Sequence, residues 1–80
     1  MKLLKEVRDN KIVLKELEDE LEPLLIKMDR LDNFRMSPDI LKLDHRMCYL
    51  LNRQYEAMES YADILMLRIE HIKRSLREEK

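Results

Sequence analysis

Glycine and tryptophan are absent from this 80-residue chain, and proline occurs only twice. Without glycine no residue enters left-handed backbone freely, so few tight turns are expected and Gly-rich phosphate loops are excluded. A single cysteine, Cys48, has no partner for an internal disulfide, which fits a reducing compartment. Beside it stand only His45 and His71, far apart in sequence, so no metal-ligand pattern forms. No apolar run approaches the ~20 residues of a membrane span. The start, "MKLLKEVRDNK", carries charges too often for a signal peptide. Neither sign of charge is in excess: 16 basic residues face 17 acidic ones, which disfavours a general polyanion binder.

What remains is helix-forming. Leu, Glu, Lys, Arg and Met dominate a chain that is 45% hydrophobic and 41% charged. The reading is one all-α domain spanning residues 1–80. Val7, Leu14, Leu21 and Met28 recur in sevens, and Leu3, Leu17, Leu24 and Leu31 form a companion row with Asn10. These rows predict a long amphipathic helix over about residues 3–34. Its "ELEDELE" run, 16–22, reads as a solvated acidic face. Pro23 interrupts the helix chemically but not the heptad phase, which predicts a kink there rather than a break. The rival reading starts a second helix at Pro23.

"NFRMSPDI", 33–40, is the clear interruption. Ser37 suits an N-cap, Pro38 a first helical position and Asp39 the positive helix end. A second helix is therefore expected over about residues 38–77, returning along the first as an antiparallel two-helix hairpin. Leu51, Met58, Leu65 and Ile72 form its apolar row. Leu50, Ala57 and Ile64 flank that row on one side; Tyr55, Ala62, Ile69 and Leu76 flank it on the other. One partner helix cannot cover so wide a face, so assembly into a homo-oligomeric helical bundle is expected.

Inside that broad face runs a polar row, Gln54, Tyr61, Arg68 and Ser75. Desolvating these groups without partners costs several kcal/mol, so each must meet a partner, water or a ligand. Gln54 bonded to a symmetry mate, Tyr61 to a backbone carbonyl and Arg68 to a helix 1 carboxylate would satisfy them structurally. Alternatively they line a pocket for a small anionic nucleotide. Tyr61 would then stack on a base, Gln54 read a base edge and Arg68 grip a phosphate. Lys42, His45, Arg46, Tyr49 and Arg53 recur at steps of three and four and form a second cluster. Its plain reading is a solvated cationic stripe. Cys48 reads as a small buried hydrophobe, and no catalytic constellation or cofactor site stands out, so no enzyme is expected.

Residues 50–69, "LLNRQYEAMESYADILMLRI", hold Leu50, Leu51, Gln54, Ala57, Met58, Tyr61, Leu65, Arg68 and Ile69 at fixed intervals. Upstream, "LIKMDRLDNF" holds Lys27, Met28, Arg30, Leu31 and Phe34. Over roughly residues 24–70 this pattern resembles the crAss-like-phage small coiled-coil family, from which Pro23 and the longer amino-terminal extension depart. That resemblance implies phage origin and the host cell cytoplasm. In size and hairpin plan the chain also resembles phage anti-CBASS and anti-Thoeris sponges, homo-oligomers that sequester cyclic nucleotide-type signals between subunits. Together these imply a non-catalytic sponge, and the side-chain chemistry makes Arg46, Tyr49, Arg53, Gln54, Tyr61 and Arg68 its expected ligand-binding residues. The rival expectations are a coiled-coil module docking a host or phage protein through Met66 and Leu67, and a structural bundle component. Nucleic-acid binding is disfavoured because Glu56, Glu59, Asp63 and Glu70 offset the nearby basic residues.

Overall fold

A computed structural model describes residues 9–78, and among these the only regular elements are helical. Helix α1 spans Asn10–Arg35. A short 3₁₀ turn follows at Pro38–Lys42. Helix α2 spans His45–Glu78. The expected first turns of helix 1, with Leu3 and Val7, lie outside the described residues.

Asp9 caps α1 by accepting the Lys11 backbone N–H at 2.9 Å. The helix then runs unbroken through Pro23. Pro23 is exposed, so the carbonyl one turn back, which loses its N–H partner, can turn to water. Solvated i,i+4 pairs such as Lys15–Asp19, 2.9 Å, decorate the outer face. The Asp19 carboxylate bonded to Lys15 holds that ammonium above its ordinary pKa.

The second helix starts later than the sequence implies. Proline and Asp39 do open a helical segment at Pro38, but it is 3₁₀ and ends at Lys42. Leu43 is extended, and Asp44 begins α2 instead. The Asp44 side chain accepts the Met47 N–H at 2.8 Å, and its carbonyl accepts the Cys48 N–H at 3.0 Å. This is an N-cap with its third-residue bond in place. Ser37 takes cap geometry but does not cap the turn with its side chain. Its hydroxyl donates backward to the Phe34 carbonyl at 2.8 Å, tying off the end of α1.

The helices run antiparallel. Early α1 meets late α2 through Glu18 and Lys73, 3.9 Å apart. Late α1 meets early α2 through Arg35. Its guanidinium bonds Asp32 at 2.7 Å and Asn52 at 3.1 Å, and it lies 4.0 Å from the Tyr55 ring centroid. Arg35 Nε is buried without a partner, and the ring face beneath the guanidinium offsets part of that cost.

Leu17, Leu65 and Ile69 are buried together, with Val13, Leu14, Leu21, Leu24 and Ile72 packed around them. Ala62 completes the buried set. On α2 the seam therefore pairs the Leu51–Met58–Leu65–Ile72 row with Tyr55, Ala62, Ile69 and Leu76. The polar row is not part of the hairpin interface. Gln54, Tyr61 and Arg68 are exposed, and only Ser75 is half-buried. Both rows share the seven-residue period, but the apolar one saves the cost of stripping water from an amide and a guanidinium.

The chain measures 55 × 26 × 15 Å, so its thinnest dimension is little more than one helix. Among the described residues twelve large apolar side chains are exposed, including Ile12, Ile26, Tyr61, Ile64 and Leu67, against four residues in the core. Replacing Leu65, which is fully buried, by alanine is expected to cost about 3 kcal/mol. The same change at Leu67, which is 60% exposed, should cost under about 0.5 kcal/mol. Urea unfolding followed by circular dichroism separates the two. Asp44→Ala should cost about 1 kcal/mol and fray the start of α2, read as faster amide exchange at Met47 and Cys48.

Candidate functional site

The sequence-selected residues all lie on α2, in two groups. Arg46, Tyr49 and Arg53 form the first. They sit three and four residues apart near the helix start, so they share a side, and all three are exposed. The Arg46 and Arg53 guanidinium carbons lie 5.8 and 5.9 Å from the Tyr49 ring centroid. Both distances fall within cation–π reach. Arg53 also donates to the Tyr49 hydroxyl at 3.1 Å and approaches Glu56 at 3.6 Å. The result is an aromatic ring flanked by two cations, a surface suited to a planar base carrying phosphate.

Lys42 does not join this group. It belongs to the 3₁₀ turn and pairs with Asp39 at 3.1 Å. The Asp44 cap separates it from the α2 stripe. Cys48 is half-buried, with its sulfur 3.7 Å from the Ile40 carbonyl and 3.9 Å from that of Leu43. The thiol thus faces the connecting turn, away from the Tyr49 cluster.

Gln54, Tyr61 and Arg68 form the second group. Gln54 contacts the Met58 sulfur at 4.0 Å. Tyr61 and Arg68 make no hydrogen bond or ion pair among the described residues, so no helix 1 carboxylate holds the guanidinium. Arg68 borders a groove of about 330 Å³ with Ile64, Leu67, His71 and Ile72. Apolar floor and cationic rim occur together there. Along the helix, Arg46 and Arg68 are about 33 Å apart. The two groups therefore do not converge within one chain.

Two features escape the sequence reading. The Arg35–Tyr55–Asn52 clamp depends on contacts between distant residues, and no local spacing signals it. A larger groove of about 440 Å³ lies on α1, floored by Leu21, Leu25 and Ile26 and rimmed by Glu18, Glu22, Asp29 and Arg30. Its signal was Leu25 and Ile26, which fall outside the heptad rows. Three carboxylates at its edge make it unsuited to an anion. Among the described residues no cluster of His, Cys, Asp and Glu has metal-binding geometry, and no helix is long and apolar enough to cross a membrane.

No curated protein and no solved structure matches the chain. A family model does: the Sequestin model matches residues 11–71, taking in nearly all of α1, most of α2 and every residue discussed above from Arg46 to Arg68. With more than half of its length matched, the chain belongs to the Sequestin family.

Proposed function

We propose that this protein is a non-catalytic binder. In this reading it assembles as a homo-oligomeric helical bundle and sequesters a cyclic nucleotide-type immune signal, in the host cell cytoplasm, on behalf of a phage. The single observation that carries the reading is the Arg46–Tyr49–Arg53 cluster, an exposed ring set between two guanidiniums on a rigid helix. Membership of a family named Sequestin supports the sequestering part. Sequestration requires only tight binding at stoichiometric amounts, so it draws on orientation and charge rather than on an acid, a base or a nucleophile. Tyr49 and Tyr61 supply stacking surfaces, Arg46, Arg53 and Arg68 meet phosphates, and Gln54 reads a base edge.

A second reading rests on Met66 and Leu67, which are 43% and 60% exposed and adjacent. Methionine-bearing helix faces suit adaptable protein contacts, so a host or phage protein is the alternative occupant. A stable heteromeric complex recovered from host lysate would favour it, as co-purification with virions would favour a structural bundle component.

Calorimetry against cyclic dinucleotides, cyclic trinucleotides and cyclic ADP-ribose isomers tests the leading reading. At least one member should bind. Arg53→Ala should then weaken that binding by about 10- to 100-fold, the loss expected for a charge-assisted contact. No binding by any member, with helicity intact, rejects the proposal.

A further inference from the structure

The exposed side of α2 repeats the geometry of its buried side. The core-facing seam runs Cys48, Leu51, Tyr55, Met58, Ala62, Leu65, Ile69, Ile72, in alternating steps of three and four. One residue earlier at each step lies a second series: Met47, Leu50, Gln54, Ala57, Tyr61, Ile64, Arg68, His71. All eight are exposed. Among them Met47, Leu50, Tyr61 and Ile64 are 43–54% accessible despite their apolar bulk. A three-four series held over seven steps is what a packed helix presents to another helix of the same period. The outer face of α1 carries no comparable series. Ile12 and Ile26 stand two heptads apart, but Asp19 fills the position midway between them and Leu25 falls off that row.

We propose that this second seam is covered by α2 of a second copy of the chain, running antiparallel. The symmetric register pairs Met47 with the partner's His71, Leu50 with the partner's Arg68, Gln54 with the partner's Ile64 and Ala57 with the partner's Tyr61. Tyr61, the largest, then meets Ala57, the smallest, while Gln54 and Arg68 lay their aliphatic stems on the partner's Ile64 and Leu50 and keep their polar heads at the rim. Arg74 comes level with the partner's Asp44, a charge-complementary match at each end. Parallel pairing would instead stack Arg68 on Arg68, His71 on His71 and Tyr61 on Tyr61, with repulsion inside a partly dehydrated strip.

The antiparallel register also completes the candidate site. It brings the groove lined by Arg68 and His71 beside the partner's Arg46, Arg53 and Gln54. Within one chain even Arg53 and Arg68 are about 22 Å apart, too far for one small ligand. Two equivalent anion sites result, one at each end of the dimer contact, each built from both copies. The strip is about 36 Å long and about 10 Å wide on each copy, about 700 Å² over both, which is below the size of a stable specific interface and makes the contact a weak one on its own. Three cations in each site repel when empty, so a bound polyanion strengthens the contact. This ligand arrangement rests on the sequestering reading; the seam and its register do not.

Cysteine cross-linking in a Cys48→Ser background tests the register without any nucleotide, so its outcome is separate from that of the calorimetry. A mixture of Met47→Cys and His71→Cys chains should give a covalent dimer under oxidation, lost when either variant is oxidised alone. Gln54→Cys with Ile64→Cys reads the same register at a second level, and circular dichroism verifies that each variant is helical. Self-linking of Met47→Cys alone, or no cross-link from either mixed pair of helical variants, overturns the proposal.

Discussion

The rest of this structure depends on a shortage of burial. A two-helix hairpin has one seam, and among the described residues that seam encloses four side chains, one of them only alanine. Ordering the roughly 70 described residues opposes folding by about 1–2 kcal/mol each in backbone entropy alone. A core of four residues offsets a small part of that. The helices gain more from the half-buried ring around the core and from caps at Asp9 and Asp44, yet apolar surface still faces water along most of α2. A small chain without disulfide or metal commonly resolves that shortage by association.

The same shortage explains the placement of polar groups. Polar side chains at Gln54, Tyr61 and Arg68 would be costly in a dry seam, so the hairpin turns them outward and buries Ala62, Leu65 and Ile69. Turned outward, they stand exposed among Met47, Leu50, Ala57 and Ile64, which are exposed as well. Among the described residues the one guanidinium drawn into the hairpin is Arg35, which is held by Asp32, Asn52 and the face of Tyr55 together. Arg46 and Arg53, by contrast, remain at the surface around Tyr49. Fold and candidate site are thus two outcomes of one distribution of apolar and cationic residues along α2.

Much of this was legible in the sequence, for physical reasons that can be traced to particular positions. The heptad rows of Leu14, Leu17, Leu21 and Leu24 do face the core, because spacing of three and four puts side chains on one stripe of any α-helix. The phase of α2 was less legible. Leu51, Met58, Leu65 and Ile72 can be completed either by Gln54 and its row or by Tyr55 and its row, and period alone does not choose. Solvation chooses, in favour of Tyr55, Ala62 and Ile69. The start of α2 was misplaced because Pro38 and Asp44 both signal a helix start, and the α-helical backbone follows the aspartate that bonds the third N–H. The Arg35 clamp was illegible, since it joins residues 17 positions apart. The Arg46–Tyr49–Arg53 cluster was legible because all three partners sit within two turns of one helix.

The claim that identical chains complete one another's burial is tested most directly by the dependence of thermal unfolding on chain concentration. If association contributes to the folded state, the midpoint rises as concentration is raised over several decades, by mass action. A cooperative transition whose midpoint stays constant from nanomolar to millimolar chain would mean that the lone hairpin is sufficient, and would contradict the claim.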